Sequence, residues 1–225
     1  MLQKTRGLVL NYLRYRETSI IVKIYTEEFG VQTYIENGVR SSKGKNKIAL
    51  FQPLTLLDLV VYFKDSAGIQ RISEIKVNHP YSTIPFDITK STIALFITEV
   101  LSKTLKEEAG NPRLFQFLRE SLIWLDQATE GYENFHLWFL LRLSFYLGFE
   151  PTTGQQLAQE LRLAGYPIHD ESELRKLDEL NVNPEIRIGR SSRNYLLEMV
   201  LKFYELHVDG MGEVRSLEIL RTVFS

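Results

Sequence analysis

The chain has 225 residues, 44% of them hydrophobic and 24% charged, with a formal net charge of −1 and no cysteine. This composition is too apolar for a disordered chain and suits one large or two small globular domains. Without cysteine there is no disulfide framework, no thiolate nucleophile and no thiolate-bound zinc. The longest apolar runs, such as Leu137–Leu141, fall far short of the roughly 20 residues of a membrane span. The N-terminal MLQKTRGLVLNYL has no extended apolar stretch of the signal type. A soluble cytoplasmic protein, away from any membrane, is expected.

Taken in chain order, the first third reads as strands. Thr5–Leu10 is apolar at its centre, and Ser19–Thr26 is rich in β-branched residues. After the turn at Phe29-Gly30, Val31–Glu36 alternates partially. Asn37-Gly38 is a strong turn dipeptide and opens a polar stretch to Lys47. Leu54–Phe63 is a fourth β-like run, and Asp65–Gly68 reads as a tight hairpin loop before a fifth run, Ile69–Val77. Five short strands in so short a segment point to a small closed barrel, because an open sheet of this size leaves unpaired edges.

Near His79-Pro80 the period changes to a helical one. Ile88–Glu108 places Ile93, Phe96, Ile97, Val100, Leu101 and Leu105 three and four residues apart. Asn111-Pro112 starts a second helix, with proline tolerated in the first turn. Asn134 is a suitable N-cap for a third, which runs to Leu147 and is closed by Gly148. That helix is apolar around most of its circumference, so it belongs at the centre of a core, with Phe135, Trp138, Phe139, Phe145, Tyr146 and Phe149 as its aromatic packing. Residues 150–190 are mixed and broken by glycine and proline. Ser191–Val208 and Glu213–Phe224 read as two last helices. The fold class is therefore α+β: a β-barrel domain over residues 1–79 and an all-α helical domain over 80–225.

The near-neutral total hides an asymmetry. Residues 1–79 hold 12 Lys/Arg against 7 Asp/Glu, a net of +5, whereas residues 80–225 hold 15 against 21, a net of −6. A basic barrel joined to an acidic remainder points to a polyanion partner for the barrel. The densest basic feature is Arg40, Lys43, Lys45 and Lys47, four cations in eight residues, with no acid between Asn37 and Leu57. Small polar residues between these cations let backbone N–H groups and side chains approach phosphates together. It is not a nucleotide-binding loop: five residues separate Gly38 from Gly44, Asn46 follows Lys45, and no helical pattern comes next. A second basic set is Lys4, Arg6, Arg14 and Arg16, with Lys23 beyond, interleaved with Tyr12, Tyr15 and Tyr34. The four histidines lack metal-ligand spacing, the Ser191-Ser192 pair lacks a glycine elbow, and no catalytic constellation stands out. Neither an enzyme nor a cofactor is expected.

The segments Gly7–Leu10, Tyr15–Ser19, Tyr25–Gly30, Asn37–Arg40 and Phe51–Leu57 resemble, in order and spacing, the N-terminal domain of the RecO recombination mediators. Phe96–Leu101, Leu147–Phe149 and Arg215–Arg221 resemble that family's helical domain. The resemblance implies an N-terminal OB-fold and a DNA-binding mediator of DNA repair and recombination, associated with the bacterial nucleoid. It implies binding to single- and double-stranded DNA and annealing of complementary strands. It also implies binding to the acidic, apolar C-terminal tail of single-stranded DNA-binding protein and, with RecR, assistance in loading RecA. The family often has lysine where this chain has Asn37, and many members carry a four-cysteine zinc site that this chain cannot form. Segment 150–190 must then be held by packing. The resemblance makes Arg6, Arg14, Arg16, Arg40, Lys43, Lys45 and Lys47 the DNA-binding candidates. For the partner tail, Arg142, Lys202, Arg215 and Arg221 are candidates for a basic rim around an apolar pocket. The alternative is a protein-interaction scaffold of the same pathway with weak intrinsic DNA binding.

Overall fold

A computed structural model describes residues 1–39, 47–64, 68–106 and 109–224. Five strands, β1 (Leu2–Tyr15), β2 (Ser19–Thr26), β3 (Gly30–Glu36), β4 (Leu56–Tyr62) and β5 (Gln70–His79), close into a barrel in the order β1-β2-β3-β5-β4. All neighbours run antiparallel except β3 and β5, whose short parallel contact pairs Tyr34 with Gln70 and Ile35 with Arg71. The closed five-stranded barrel expected from the strand pattern is what forms, and it is OB-like, as the family resemblance implies.

β1 is much longer than its apolar centre announces, because it has two partners. Leu2–Leu8 pair with β4, Gly7–Tyr15 pair with β2, and the register shifts between Val9 and Asn11. A bulge of this kind bends and twists a strand, which is how one strand serves two sides of a small barrel. Gly7 sits where both partners meet: a Cβ there would lie 2.6 Å from Ile24 Cγ2 and 2.9 Å from Leu59 Cδ1. Inside, Val9, Ile20, Val22, Ile24, Tyr34, Leu57, Leu59 and Val61 pack with Val39 and with Phe51, which a short 3-10 helix (Ile48–Phe51) delivers into the core. Tyr34 is fully buried, so it is a core residue, and burial pushes its phenol above the ordinary range.

Two long helices follow, α1 (Ile88–Thr104) and α2 (Pro112–Gln127). α1 ends at Thr104, short of the Glu108 that the apolar spacing suggested. The chain packs as two compact units, Met1–Ser82 with Thr98–Ile123, and Thr83–Ile97 with Trp124–Ser225. In the first unit, Gly110 lies against the β2–β3 turn so closely that a Cβ would come 2.3 Å from the Glu28 carbonyl oxygen. Arg119 Nε donates to Asn78 Oδ1 (3.2 Å), and Asn78 Nδ2 donates to Asp58 (2.9 Å), which ties α2 to β5 and β4.

The second unit is helical. Its elements beyond α1 and α2 are α3 (Phe135–Leu147), α4 (Gly154–Leu163), α5 (Glu171–Leu174), α6 (Lys176–Val182), α7 (Arg190–His207) and α8 (Ser216–Val223). α3 is central, as its all-round apolarity predicts, and Gly148 closes it at φ 85°. Phe145, however, faces outward and is not core. Asn134 stands at the N-cap position without capping: its amide donates to the Ile186 carbonyl (2.6 Å) and its oxygen accepts from Arg193 (3.3 Å). Tyr204 of α7 donates to the Leu140 carbonyl of α3 at 2.6 Å.

Segment 150–190 forms three helices where the sequence pattern shows only breaks. Gly154 starts α4 instead of interrupting it. A Cβ on Gly154 would lie 1.9 Å from the Leu174 carbonyl oxygen, and its N–H donates to Asp178 (2.6 Å). Thr153 caps α4 through its hydroxyl, Asp170 caps α5, and Leu157, Ala158, Leu161, Leu174, Leu177 and Leu180 bury a small common core.

A buried polar knot organises the entry to the helical unit. The Asp126 carboxylate, on a residue 1% exposed, accepts from the N–H groups of Thr83 (2.8 Å) and Ile84 (3.0 Å). Lys90, 3% exposed, donates to Thr83 Oγ1 (2.7 Å) and to the carbonyls of Asp126 (3.0 Å) and Ala128 (2.6 Å). Replacing Asp126 by Ala strands one buried and one partly buried N–H donor and is expected to lower stability by about 3 kcal/mol in a urea titration. Asp126→Asn, which keeps one acceptor oxygen, is expected to lose less.

His136 is buried between Phe96 and Phe224, and its Nδ1 has no hydrogen-bond partner among the described residues. Burial, helped by the nearby Arg193 charge, lowers its pKa from 6.5 to about 3. The native ring therefore stays neutral while the unfolded ring protonates as pH falls below 6.5. Stability is expected to drop by about 2 kcal/mol between roughly pH 7 and pH 5 from this group alone, and His136→Leu to remove that share of the acid sensitivity, read from urea midpoints at the two pH values.

Candidate nucleic-acid interface

The barrel's expected cations fall into distinct environments. Arg14 and Arg16 are exposed at the β1–β2 turn. Arg16 adopts φ 50°, a left-handed conformation unusual for a side-chain-bearing residue, and its guanidinium lies 5.2 Å from the Tyr15 ring centroid. Arg6 sits eight positions earlier on the same strand, about 26 Å away along an extended chain. It forms a bidentate pair with Glu27 (2.7 and 2.5 Å) and lies over Phe115 (5.3 Å). The hydrogen bond that Arg6 donates to Glu27 holds the Arg6 pKa above its already high ordinary value. Arg6 thus joins β1 to the β2–β3 turn and does not share a patch with Arg14 and Arg16.

Lys47 donates to Glu36 at 2.7 Å, where Glu36 is the last residue of β3 and is buried. This ion pair closes the base of the loop between β3 and the 3-10 helix. Arg40, Lys43 and Lys45 lie outside the described residues. Asn37, at the start of the same loop, accepts from the Ser19 hydroxyl at 2.8 Å.

Two further cations went unnoticed in the sequence. Lys64, just after β4, and Lys106, just after α1, join Lys23 of β2 around one groove of about 630 Å³. In the sequence each is followed directly by an acid, Lys64 by Asp65 and Lys106 by Glu107, so neither marks a basic run. A second barrel cavity, of about 530 Å³, is chemically different: Lys4, Arg6 and Lys76 face Glu27, Glu28, Asp58 and Glu74 there.

Of the four cations expected at a partner-tail pocket, Lys202 and Arg221 come together. They line a cavity of about 530 Å³ between α7 and α8, over Leu201, Met211, Val214 and Leu217. Each is paired with a carboxylate of that cavity, Lys202 with Glu205 (2.9 Å) and Arg221 with Glu198 (3.1 Å). Glu205 holds the Lys202 pKa above its ordinary value. Arg142 lies elsewhere, near Glu150 (3.9 Å) and Asn181 (3.5 Å), and Arg215 is exposed at the start of α8 outside the cavity.

Among the described residues, no cluster of three or more His, Asp or Glu side chains is placed to hold a metal ion, and no helix is long and apolar enough to cross a membrane.

Comparison with known proteins adds the family. The model described as "Recombination protein O N terminal" matches residues 1–81, and "Recombination protein O C terminal" matches residues 85–218. The chain is 35% identical to the DNA repair protein RecO of Phocaeicola vulgatus, covering 100% of both chains. It is 35% identical to that of Flavobacterium psychrophilum over 99% of each, and 32% identical to that of Prosthecochloris aestuarii over 99% of this chain and 98% of the relative. With a closed five-stranded barrel, a following helical unit and similarity along its whole length, the chain belongs to the RecO family of DNA repair proteins.

Proposed function

We propose that this protein is a non-enzymatic recombination mediator. It binds single- and double-stranded DNA, anneals complementary strands and, with RecR and single-stranded DNA-binding protein, helps to load RecA. The observation that carries the reading is the closed OB-like barrel of net charge +5, with exposed Arg14 and Arg16 at the turn between its first two strands. Barrels of this topology bind oligonucleotides on the face of strands 2 and 3 and with the loops that flank it. Annealing requires two polyanions to be held close together, so cations must offset phosphate repulsion. Lysine and arginine contacts to the backbone position a strand without reading its sequence, so little sequence preference is expected. The α7–α8 cavity brings Lys202 and Arg221 together beside Leu201, Met211, Val214 and Leu217, but Glu198, Glu205, Glu213 and Glu218 line it as well, so of the partner-tail part of the reading it supports only the apolar contact.

Fluorescence anisotropy with a labelled single strand, titrated with salt, tests the core of this reading. The variant is Arg40→Ala/Lys43→Ala/Lys45→Ala, with Lys47 retained because it neutralises buried Glu36. Wild-type affinity is expected to fall steeply with salt, and the slope of log K against log[salt] to decrease by about 2 in the variant. An unchanged slope and affinity in the variant would remove the loop from the DNA track. Absence of wild-type binding at low salt would replace the mediator by the scaffold alternative. The same assay with an acidic, apolar-ended peptide, on wild type and Lys202→Ala/Arg221→Ala, reads the α7–α8 cavity.

A further inference from the structure

The helical unit holds a cavity of about 760 Å³ between the α2–α3 connection and the start of α7. Five charged residues line it. Glu130 and Glu133 come from the connection, Glu185 and Arg187 from the chain leading into α7, and Arg193 from the first turn of α7. Among the described residues, none of the five takes part in an ion pair. Arg193 is half-buried and the other four are exposed. Neutral groups fix the guanidinium. Its Nη1 donates to Asn134 Oδ1 (3.3 Å) and to the Glu133 carbonyl (3.4 Å), and it lies over the Phe224 ring at 4.9 Å. Asn134, 4% exposed, is itself anchored by the Ile186 carbonyl (2.6 Å). Arg193 Nε is closed off from solvent and has no hydrogen-bond partner among the described residues.

A guanidinium drawn partly out of water without a carboxylate is a charge that an incoming anion stabilises. Burial accordingly lowers the Arg193 pKa, and the Glu133 charge offsets part of that through space. The planar fork of an arginine matches a carboxylate. The three exposed glutamates set the company that carboxylate can keep. They repel a polyanion, and they favour cations on either side of the single negative group. Four of the five charged residues lie at the open surface. The cavity therefore suits a protruding segment of another protein better than a small molecule, whose sites enclose most of the ligand.

We propose that this cavity docks a mixed-charge segment of a partner protein. One Asp or Glu carboxylate of that segment reaches Arg193, and flanking Lys or Arg side chains meet Glu130, Glu133 and Glu185. The proposal goes beyond the DNA-binding reading and shares no residue with it. The test uses three fluorescein-labelled peptides in a Gly/Ser frame, one alternating Lys and Asp, one with Asp alone and one with Lys alone. Anisotropy gives the affinities, and amide shifts of the nitrogen-15-labelled full chain give the place of binding. The proteins are wild type, Arg193→Gln, Glu130→Gln/Glu133→Gln/Glu185→Gln and, as a control on an exposed arginine outside the cavity, Arg175→Gln.

The mixed-charge peptide is expected to bind best and to shift the amides of Gly131, Asn134 and Arg193. Its affinity is expected to fall about tenfold in Arg193→Gln and in the glutamate variant, and to stay within about twofold of wild type in Arg175→Gln. Thermal melting verifies that each variant folds. Should Arg193→Gln melt early, the glutamate variant carries the test, because its three side chains are exposed. Absence of shifts at those amides, or unchanged affinity in the glutamate variant, would overturn the proposal. Equal binding of the Asp-only peptide would hand the cavity to an acidic tail, and equal binding of the Lys-only peptide would reduce it to its acidic rim; either overturns the mixed-charge partner. The same amides shifting with protein concentration, without peptide, would assign the cavity to a second copy of this chain and likewise overturn it.

Discussion

Closure of the barrel depends on β1 pairing along its length with two different strands. Its first half is bonded to β4 and its second half to β2, with the overlap at Gly7 and Leu8 and a register shift just after. Any side chain at Gly7 meets Ile24 and Leu59, so the crossing is possible because that residue has none. Once β1 is shared in this way, β3 and β5 need only a short parallel contact to complete the ring. The connections then emerge at fixed places: the β1–β2 turn with Arg14 and Arg16, the β3 exit with Glu36, and the β4 end with Lys64.

That framework sorts the basic residues by what they can do. Arg6 and Lys47 are joined to Glu27 and Glu36 and serve the barrel itself. Removing either leaves a partly or fully buried carboxylate without its cation, which is a loss of stability before it is a loss of binding. Arg14 and Arg16 remain at an exposed turn. Lys23, Lys64 and Lys106 line one groove of the barrel unit. A count of charge assigns +5 to this part of the chain, but only the pairing pattern tells which of those charges serve the barrel itself.

The helical unit solves a different problem. Segment 150–190 is held by near-contact of backbones at Gly154 and Leu174, by capping side chains and by six buried apolar residues. Close approach of main chains excludes even a methyl group, so the glycine there is a packing residue and not a break. The Asp126–Thr83–Lys90 knot performs the same service at the start of the unit, using buried hydrogen bonds that point to one arrangement of the entering chain.

Five strands, the change to helices near residue 80, the central apolar α3 and its Gly148 stop were all legible in the sequence, because each is written in local periodicity or in a single turn residue. The family was legible for the same reason, since its motifs are runs of neighbouring residues. What escaped was whatever depends on a distant partner. The full length of β1 follows from two pairing strands, the helices of 150–190 from a glycine that touches a carbonyl 20 residues away, and the idle cap of Asn134 from Ile186 and Arg193. In the candidate site, Arg6 and Lys47 looked like free cations because their carboxylates lie 21 and 11 residues off, while Lys64 and Lys106 looked like isolated ones because Lys23 lies far up the chain. Local pattern determines which element forms, since neighbours along the chain set backbone preference and amphipathicity. Which charges pair and which converge is decided only by folding, because Coulombic and hydrogen-bond partners are chosen by distance in space.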